Sequence, residues 1–522
     1  MRADNARHMS NPLAFLRALL IYGTCVPLAM YLGYLLASPL DLGTWVAVGL
    51  VLVALVLPLL LRWHHPLLVF SWNLGAVVFF VKGQPQLWLL MAVISLVIAL
   101  VQRTLNRQLK FIAVRSLIAP LLFLAVVVLV TAWFTGGMGL RVMNSDTYGG
   151  KRYIVLLGPT LGFFAFCSRA IPPAKANLYL GLYFLPGLVA LITSCFPLIN
   201  SAFYFIYLIF PADPYMLQAY ASQPNTPFAD DLVRLSGLAL AGQAIFCFLL
   251  ARHGIRSLLK ARNWWRLGIL ILAVIAGLFG GFRSVVLLMV LIFCLLFWFE
   301  GLMRTRFLFL FLAGGILCLA ATVPFTRHMP LPVQRALCFL PVEVDPVAAA
   351  DAQASTEWRV RIWRIVWPEI PHYLFLGKGY GINAQDLELA QTGEQRGLVD
   401  SSEVAMLAGD YHSGPLSTII PLGIWGVLGF VWLLAAGTRV LWKNWKHGPL
   451  ELKQINAFLL ALFIAKVIFF VFVFGSLYTD MAVFVGLLGF GVSLNGGMWS
   501  PAVVPRRQIV LRETRSLQPA RG

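Results

Sequence analysis

Phe458-Leu459-Leu460-Ala461-Leu462-Phe463-Ile464-Ala465-Lys466-Val467-Ile468-Phe469-Phe470-Val471-Phe472-Val473-Phe474 is an apolar run broken by one charge, Lys466. A helix crossing a bilayer needs about 20 apolar residues, and it keeps its backbone polar groups bonded where water is scarce. The run therefore reads as the body of a span over 455–474. Spans at 414–437 and 479–495 flank it. Others are expected near 14–37, 43–61, 66–82, 86–101, 116–134, 153–168, 178–195, 233–251, 266–281, 283–300 and 306–324. The fold class that follows is an all-α polytopic membrane protein with roughly 12–14 transmembrane helices. Composition agrees: 60% of the 522 residues are hydrophobic and 12% charged, and mean hydropathy is +0.82. Soluble domains lie near one half apolar and one quarter charged.

The first apolar run, about 13–37, is too long for the core of a cleavable signal and reads as a retained span. The formal charge of +19 does not point to nucleic acid, because the basic residues are not gathered on one surface. They recur in short clusters between apolar runs, as the positive-inside rule describes. With a cytoplasmic N-terminus (Arg2, Arg7), the inner loops hold Arg62, then Arg103, Arg107, Lys110 and Arg115. Later ones hold Arg169 and Lys175, the group Arg252 to Arg266, Arg304 and Arg306, and Arg439 to Lys453. The tail adds Arg506, Arg507, Arg512 and Arg515, so both termini are expected to be cytoplasmic. Outer connections carry Asp41, Asp213, Asp230, Asp231 and Asp480. Arg141, Lys151 and Arg152 break the rule on the outer side, which makes them candidates for function. Seven cysteines without CxxC or Cys/His ligand spacing indicate neither a disulfide framework nor a zinc site.

Between the spans lies one long polar interval, Thr326 to His412, holding eleven of the 21 acidic residues. The domain organisation expected is 1–324 transmembrane helices, 325–413 a large periplasmic loop with short helices, 414–497 further transmembrane helices, and 498–522 a basic cytoplasmic tail. The loop carries Glu357-Trp358-Arg359-Val360-Arg361-Ile362-Trp363-Arg364. In a helix Arg359, Trp363 and Trp367 share one face, and Arg361 and Arg364 another. Arginine forks bind phosphate bidentately; the same pattern also describes an amphipathic helix lying on headgroups. Gly377-Lys378-Gly379-Tyr380-Gly381 allows a tight turn and close backbone approach to a ligand, or is an ordinary loop; it is not a P-loop. His412, just before a span, suits a general base or a phosphate partner, or caps a helix, with Asp410 and Glu403 near it in sequence. Lys466 within a span is a candidate for function or for pairing inside the bundle, and Asp480 for a helix cap or a site carboxylate. Gly280-Gly281-Phe282-Arg283-Ser284 forms a tight turn that brings Arg283 to the side of the long loop.

Taken in order, these pieces resemble the bacterial O-antigen ligase and O-antigen polymerase superfamily. The matches are Gly281-Phe282-Arg283-Ser284, Arg359-Val360-Arg361-Ile362-Trp363, Gly377-Lys378-Gly379, and His412 followed by Leu422-Gly423-Ile424-Trp425-Gly426. They cover roughly 275–435. Ser413 stands where the family often has Asn, and the His-Pro before the glycines is displaced to Pro371-His372. The resemblance implies a GT-C-like fold in the inner membrane with a periplasmic active site. It implies a glycosyltransferase moving a glycan from undecaprenyl diphosphate to a lipid A-core sugar or a growing glycan. Arg283 and Arg359 would contact the diphosphate, with Arg361 and Arg364 as possible substitutes. His412 would take the acceptor proton or steady the diphosphate, with Asp480, Lys466, Lys378 and Arg152 as further candidates. No acidic metal-binding pair stands out, so neither metal nor cofactor is expected. The competing reading is a lipid-linked glycan flippase without transferase activity, for which Lys466 is the one supporting residue.

Overall fold

A computed structural model describes residues 22–31, 33–34, 42–81, 83–140, 147–214, 216–217 and 234–500. Arg2, Arg7, Asp41, Arg141, Asp230, Asp231 and the basic residues after 500 lie outside the described residues. The chain forms two compact units, Met1–Leu67 and Leu68–Gly522. In the first, the described residues are helical. The second holds every candidate residue.

The fold is all-α and polytopic: nine helices among the described residues are long and apolar enough to cross a membrane. In chain order the helices begin α1 (Leu42–Ser71), α2 (Leu87–Leu105), α3 (Arg115–Thr135) and α4 (Gly150–Phe166). A run of short helical turns, Pro173–Ser194, follows as α5. Next come α6 (Ser236–Leu258), α7 (Trp264–Phe279), α8 (Arg283–Phe299) and α9 (Arg306–Thr322). The long polar interval forms α10 (Leu331–Leu337), α11 (Pro346–Val366), α12 (Ala384–Gln395) and α13 (Ser401–Leu407). The chain closes with α14 (Gly414–His447), α15 (Lys453–Phe472) and α16 (Leu477–Asn495).

One expectation needs correction. The spans placed at 43–61 and 66–82 are a single helix, α1, which ends at Ser71 and absorbs Pro58 and Pro66 within it. Membrane helices tolerate proline where local adjustment satisfies the freed carbonyls. Arg62 therefore lies in a helix rather than a loop. The expectation that both termini are cytoplasmic rests on basic residues that lie outside the described ones. The basic clusters flanking the later helices are unaffected.

In the core, α4 packs between α2 and α16. Gly162 of α4 and Gly486 of α16 leave room for the Trp72 ring, which a Cβ at either position would strike. Small residues at such crossings let helices approach closely in lipid. The α14 helix packs on α3 and α15, and α15 also packs on α6 and α8. By contrast α9 is apolar along its length and buries none of it inside the protein, the pattern of a helix surrounded by lipid.

The element that ties the polar interval to the membrane helices is a break in α14. Pro421 has no N–H to donate, and Gly423 is non-helical at φ 63° and ψ −163°. The turn and loop over 374–379 run along the break. Ile424 N donates to the Leu374 carbonyl at 2.6 Å, Lys378 N to Ile420 at 2.7 Å and Gly379 N to Pro421 at 3.0 Å. Thr131 Oγ1 of α3 donates to the Leu376 carbonyl at 3.2 Å. Backbone groups that would cost several kcal/mol each if orphaned in lipid are thus satisfied. Downstream, Tyr380 N donates to the Tyr153 hydroxyl at 2.8 Å, and Thr147–Tyr148 pairs antiparallel with Ile382–Asn383.

Candidate active site

Arg283 is the first residue of α8. The Gly280–Gly281 turn places it there, with Gly281 left-handed at φ 73°. An arginine at a helix N-terminus opposes the helix dipole, a local cost of roughly 0.3–1 kcal/mol. Its Nη2 donates to the Ala352 carbonyl at 3.0 Å and to Thr356 Oγ1 at 3.3 Å, both on α11. At 3.6 residues per turn, Ala352, Thr356, Arg359 and Trp363 form one stripe of α11, and Arg359 lies about 4.5 Å along the axis from Thr356. Arg283 and Arg359 are therefore brought to the same side of one helix.

Arg359 lies over the Phe474 ring, its guanidinium carbon 5.7 Å from the centroid. The His412 ring contacts the same Phe474 at 5.2 Å and Trp358 at 4.7 Å. Phe474 reaches this position because the turn before α16 packs on the start of α14: a Cβ on Gly475 would crowd the Gly414 Cα, and Leu477 N donates to Ser417 Oγ at 3.0 Å. On the other side, Trp363 Nε1 donates to the Tyr411 carbonyl at 3.2 Å. Beneath lies a core of Ile362, Val366, Tyr411, Leu416 and Ile420.

His412 is left-handed, with φ 46°, a conformation that strains a non-glycine residue. Asp410 Oδ1 accepts from His412 N at 3.4 Å and stands 3.7 Å from Nδ1. Burial lowers the His412 pKa, Arg359 lowers it further, and Asp410 opposes both. The net direction is down, which favours neutral imidazole at neutral pH, the form able to accept a proton.

Arg152, in the first turn of α4, lies over the Tyr478 ring at 5.1 Å. A Cβ on Gly409 would stand 2.8 Å from its Nη1. It thus flanks the Gly409–Tyr411 segment that leads into His412. Near it the Tyr380 hydroxyl is buried without a hydrogen-bond partner among the described residues. Burial pushes the phenols of Tyr380 and Tyr411 up, so both stay protonated. Asp480 accepts from Ser476 N at 2.9 Å, closing the first turn of α16, and interacts electrostatically with Lys466 of α15. Lys466 is half-buried, 5.7 Å from the Phe469 ring centroid.

Three basic candidates are not joined to this group by the contacts of the described residues. Arg361 falls on the opposite side of α11 and pairs with Asp400; Arg364 is exposed; Lys378 lies over Tyr373 at 5.7 Å. The expected close approach of the glycine stretch is to the broken α14. Gly377 and Gly379 are left-handed at φ 81° and 74°, and their backbone N–H groups are engaged by protein carbonyls. The Arg361–Asp400 pair is about half exposed, so Arg361→Ala should cost at most about 1 kcal/mol of stability. It should also leave the activity of His412 and Arg359 unchanged, which thermal unfolding and a glycan gel would check.

The residues that sequence reasoning missed hold Arg283 in place. Arg335, with only 4% of its side chain exposed, donates Nη1 to the Gly281 carbonyl at 2.5 Å and pairs with Asp351. Asp351 also pairs with Arg234 at 3.1 Å. Burial pushes the Asp351 carboxyl up, but its bonds to Arg335 and the nearby Arg234 outweigh this and hold it below the ordinary carboxylate range. Arg335 and Asp351 stand 16 positions apart on different helices, a spacing with no sequence signature. Among the described residues no three His, Cys, Asp or Glu side chains form a group able to hold a metal ion.

Residues 268–431 match the family model described as O-antigen ligase. The chain carries an O-antigen ligase domain. That match supports the O-antigen ligase and polymerase superfamily expected from the motifs. The matched segment contains Arg283, Arg359, Lys378 and His412, and leaves Arg152, Lys466, Phe474 and Asp480 outside. No curated protein matches the chain. The matched domain and the membrane helices support membrane glycosyltransferase function of the ligase or polymerase type in general.

Proposed function

We propose that this O-antigen ligase-type protein transfers a glycan from undecaprenyl diphosphate to an acceptor hydroxyl on the periplasmic face of the inner membrane. The observation that carries the reading is the convergence of Arg283 and Arg359 on one stripe of α11, with His412 next to Arg359 across the shared Phe474 ring. The acceptor oxygen attacks the anomeric carbon of the donor sugar, and the bond from that carbon to the diphosphate oxygen breaks. The diphosphate departs with the electron pair, and the acceptor proton passes to neutral His412. Negative charge grows on the leaving group, where the two guanidinium groups and the α8 N-terminus stabilise it most in a partly dry site. No step assigns a role to a divalent metal. The orientation rests on the basic clusters that flank the opposite ends of the helices, from Arg103–Arg115 to Arg439–Lys453.

The test is complementation of a deletion strain with wild type or Arg283→Ala at matched expression, read by glycan gel. Wild type should restore the surface glycan, and Arg283→Ala should lower it by about 10²-fold or more, the scale for one removed charge-stabilising donor. Full-length glycan in the Arg283→Ala strain would overturn the reading. In the deletion strain, long polymer left on the carrier identifies a ligase and single repeat units identify a polymerase.

A further inference from the structure

We infer that Arg335 and Asp351 are positioning residues for Arg283, a latch that sets where its guanidinium meets the lipid-linked diphosphate. The inference rests on the transferase reading above. Arg283 follows the Gly280–Gly281 turn, and a turn with left-handed glycine is free to move unless something fixes it. Here the Gly281 carbonyl is held by Arg335 Nη1 at 2.5 Å. Arg335 is itself oriented by Asp351, which its Nε reaches. Asp351 precedes Ala352, whose carbonyl receives Arg283 Nη2 at 3.0 Å. The circuit runs Gly281–Arg335–Asp351–Ala352–Arg283 and back to Gly281, so backbone and side chain of the turn are tied to the same point on α11. Pro332 of α10 closes the other side, within 3.3 Å of a Cβ built on Gly281. Arg234 Nη2 donates to both oxygens of Asp351, at 3.2 Å to Oδ1 and 3.1 Å to Oδ2, and so ties the carboxylate that orients Arg335 to a second point.

The placement has a chemical logic. Arg335 is buried and spends its donors on protein oxygens, so it is a poor ligand for a phosphate. Arg283 uses one Nη2 for α11, and the opposite edge of its fork has no protein partner among the described residues. Of these neighbouring arginines, one is structural and one is presented.

The experiment measures binding of undecaprenyl diphosphate to the full chain in nanodiscs, by tryptophan fluorescence, and then donor kcat and KM. The variants are Arg283→Ala, Asp351→Asn, Arg335→Lys, and the pair Arg335→Met with Asp351→Leu. That pair removes the latch without leaving Arg335 as a buried unpaired charge, and Arg234, 22% exposed, can still reach water, so it keeps the fold measurable if Asp351→Asn does not fold. Each latch variant that stays folded should weaken binding about tenfold or more at temperatures well below its thermal midpoint, since small misplacement of a binding group costs on that scale. It should reproduce the division between KM and kcat seen for Arg283→Ala, whereas loss of active fraction alone lowers kcat and leaves KM untouched. Added to Arg283→Ala, a latch variant should cost less than about twofold more, the mark of residues acting through one group. Wild-type binding in the paired variant, or losses that multiply in combination with Arg283→Ala, would overturn the latch and leave the transferase reading standing. Wild-type binding and transfer by Arg283→Ala would overturn both.

Discussion

His412→Ala loses roughly 10²–10⁴-fold in transfer rate while the protein stays folded, if the imidazole removes the acceptor proton. The ring is held by Trp358 and Phe474 rather than by a deep polar network, so its removal takes away chemistry more than structure. Its pH dependence follows from the same contacts. Burial, then Arg359, push the His412 pKa down against Asp410, so the acid limb of the rate profile lies below the ordinary histidine value of about 6.5. Above that limb the base is neutral and the rate is level; below it the imidazole is protonated and the rate falls. The linked stability effect has the same direction: because the folded pKa is depressed, stability is present above the unfolded value and is lost as pH falls through the folded one. Initial rates of purified protein from acid to neutral pH check this. A rate unchanged in His412→Ala would remove the histidine from the mechanism.

Gly377→Ala destabilises the protein by roughly 4–5 kcal/mol, combining about 1–2 for a left-handed non-glycine residue with about 1 for each of the three disturbed backbone hydrogen bonds. Gly377 sits at φ 81°, and a Cβ there would overlap the Pro421 carbonyl and the Leu422 nitrogen. Relief requires the 374–379 stretch to lift from α14. That frees the Ile420 and Pro421 carbonyls and the Ile424 N–H that it now satisfies. The same movement shifts the base of the core under His412, because Ile420 and Tyr411 pack together. A lower thermal midpoint in detergent, together with reduced transfer, is the expected result. A native midpoint would mean that the glycine stretch does not splint the helix break.

These two predictions mark where the sequence was readable. His412, Arg283 and Arg359 were legible because their order and spacing repeat a family pattern, and because the wet interval had to face the Gly280–Arg283 turn. The helical run through Trp358 and Trp363 was legible from periodicity, including the division that sends Arg361 away from Arg359. The glycine stretch was legible as a close-approach segment, but its partner was not. Nothing local in Gly377–Gly381 says whether the approaching surface is a ligand or the backbone of a helix broken 45 positions downstream of Lys378, at Gly423. The two spans expected at 43–61 and 66–82 merged because apolar residues surround Pro58 and Pro66 and composition does not mark the helix as continuous. Arg335 and Asp351 were illegible because each looks like a solvated charge in the polar interval. Only burial and the Gly281 carbonyl distinguish them.

The central claim is tested most directly with purified protein in liposomes that contain undecaprenyl diphosphate-linked glycan and acceptor. Free undecaprenyl diphosphate is measured alongside extended product. The account predicts that wild type releases one undecaprenyl diphosphate for each glycan transferred, and that Arg283→Ala and Arg359→Ala release almost none. Transfer at the wild-type rate by either variant, or glycan crossing the bilayer still attached to its carrier, would contradict it.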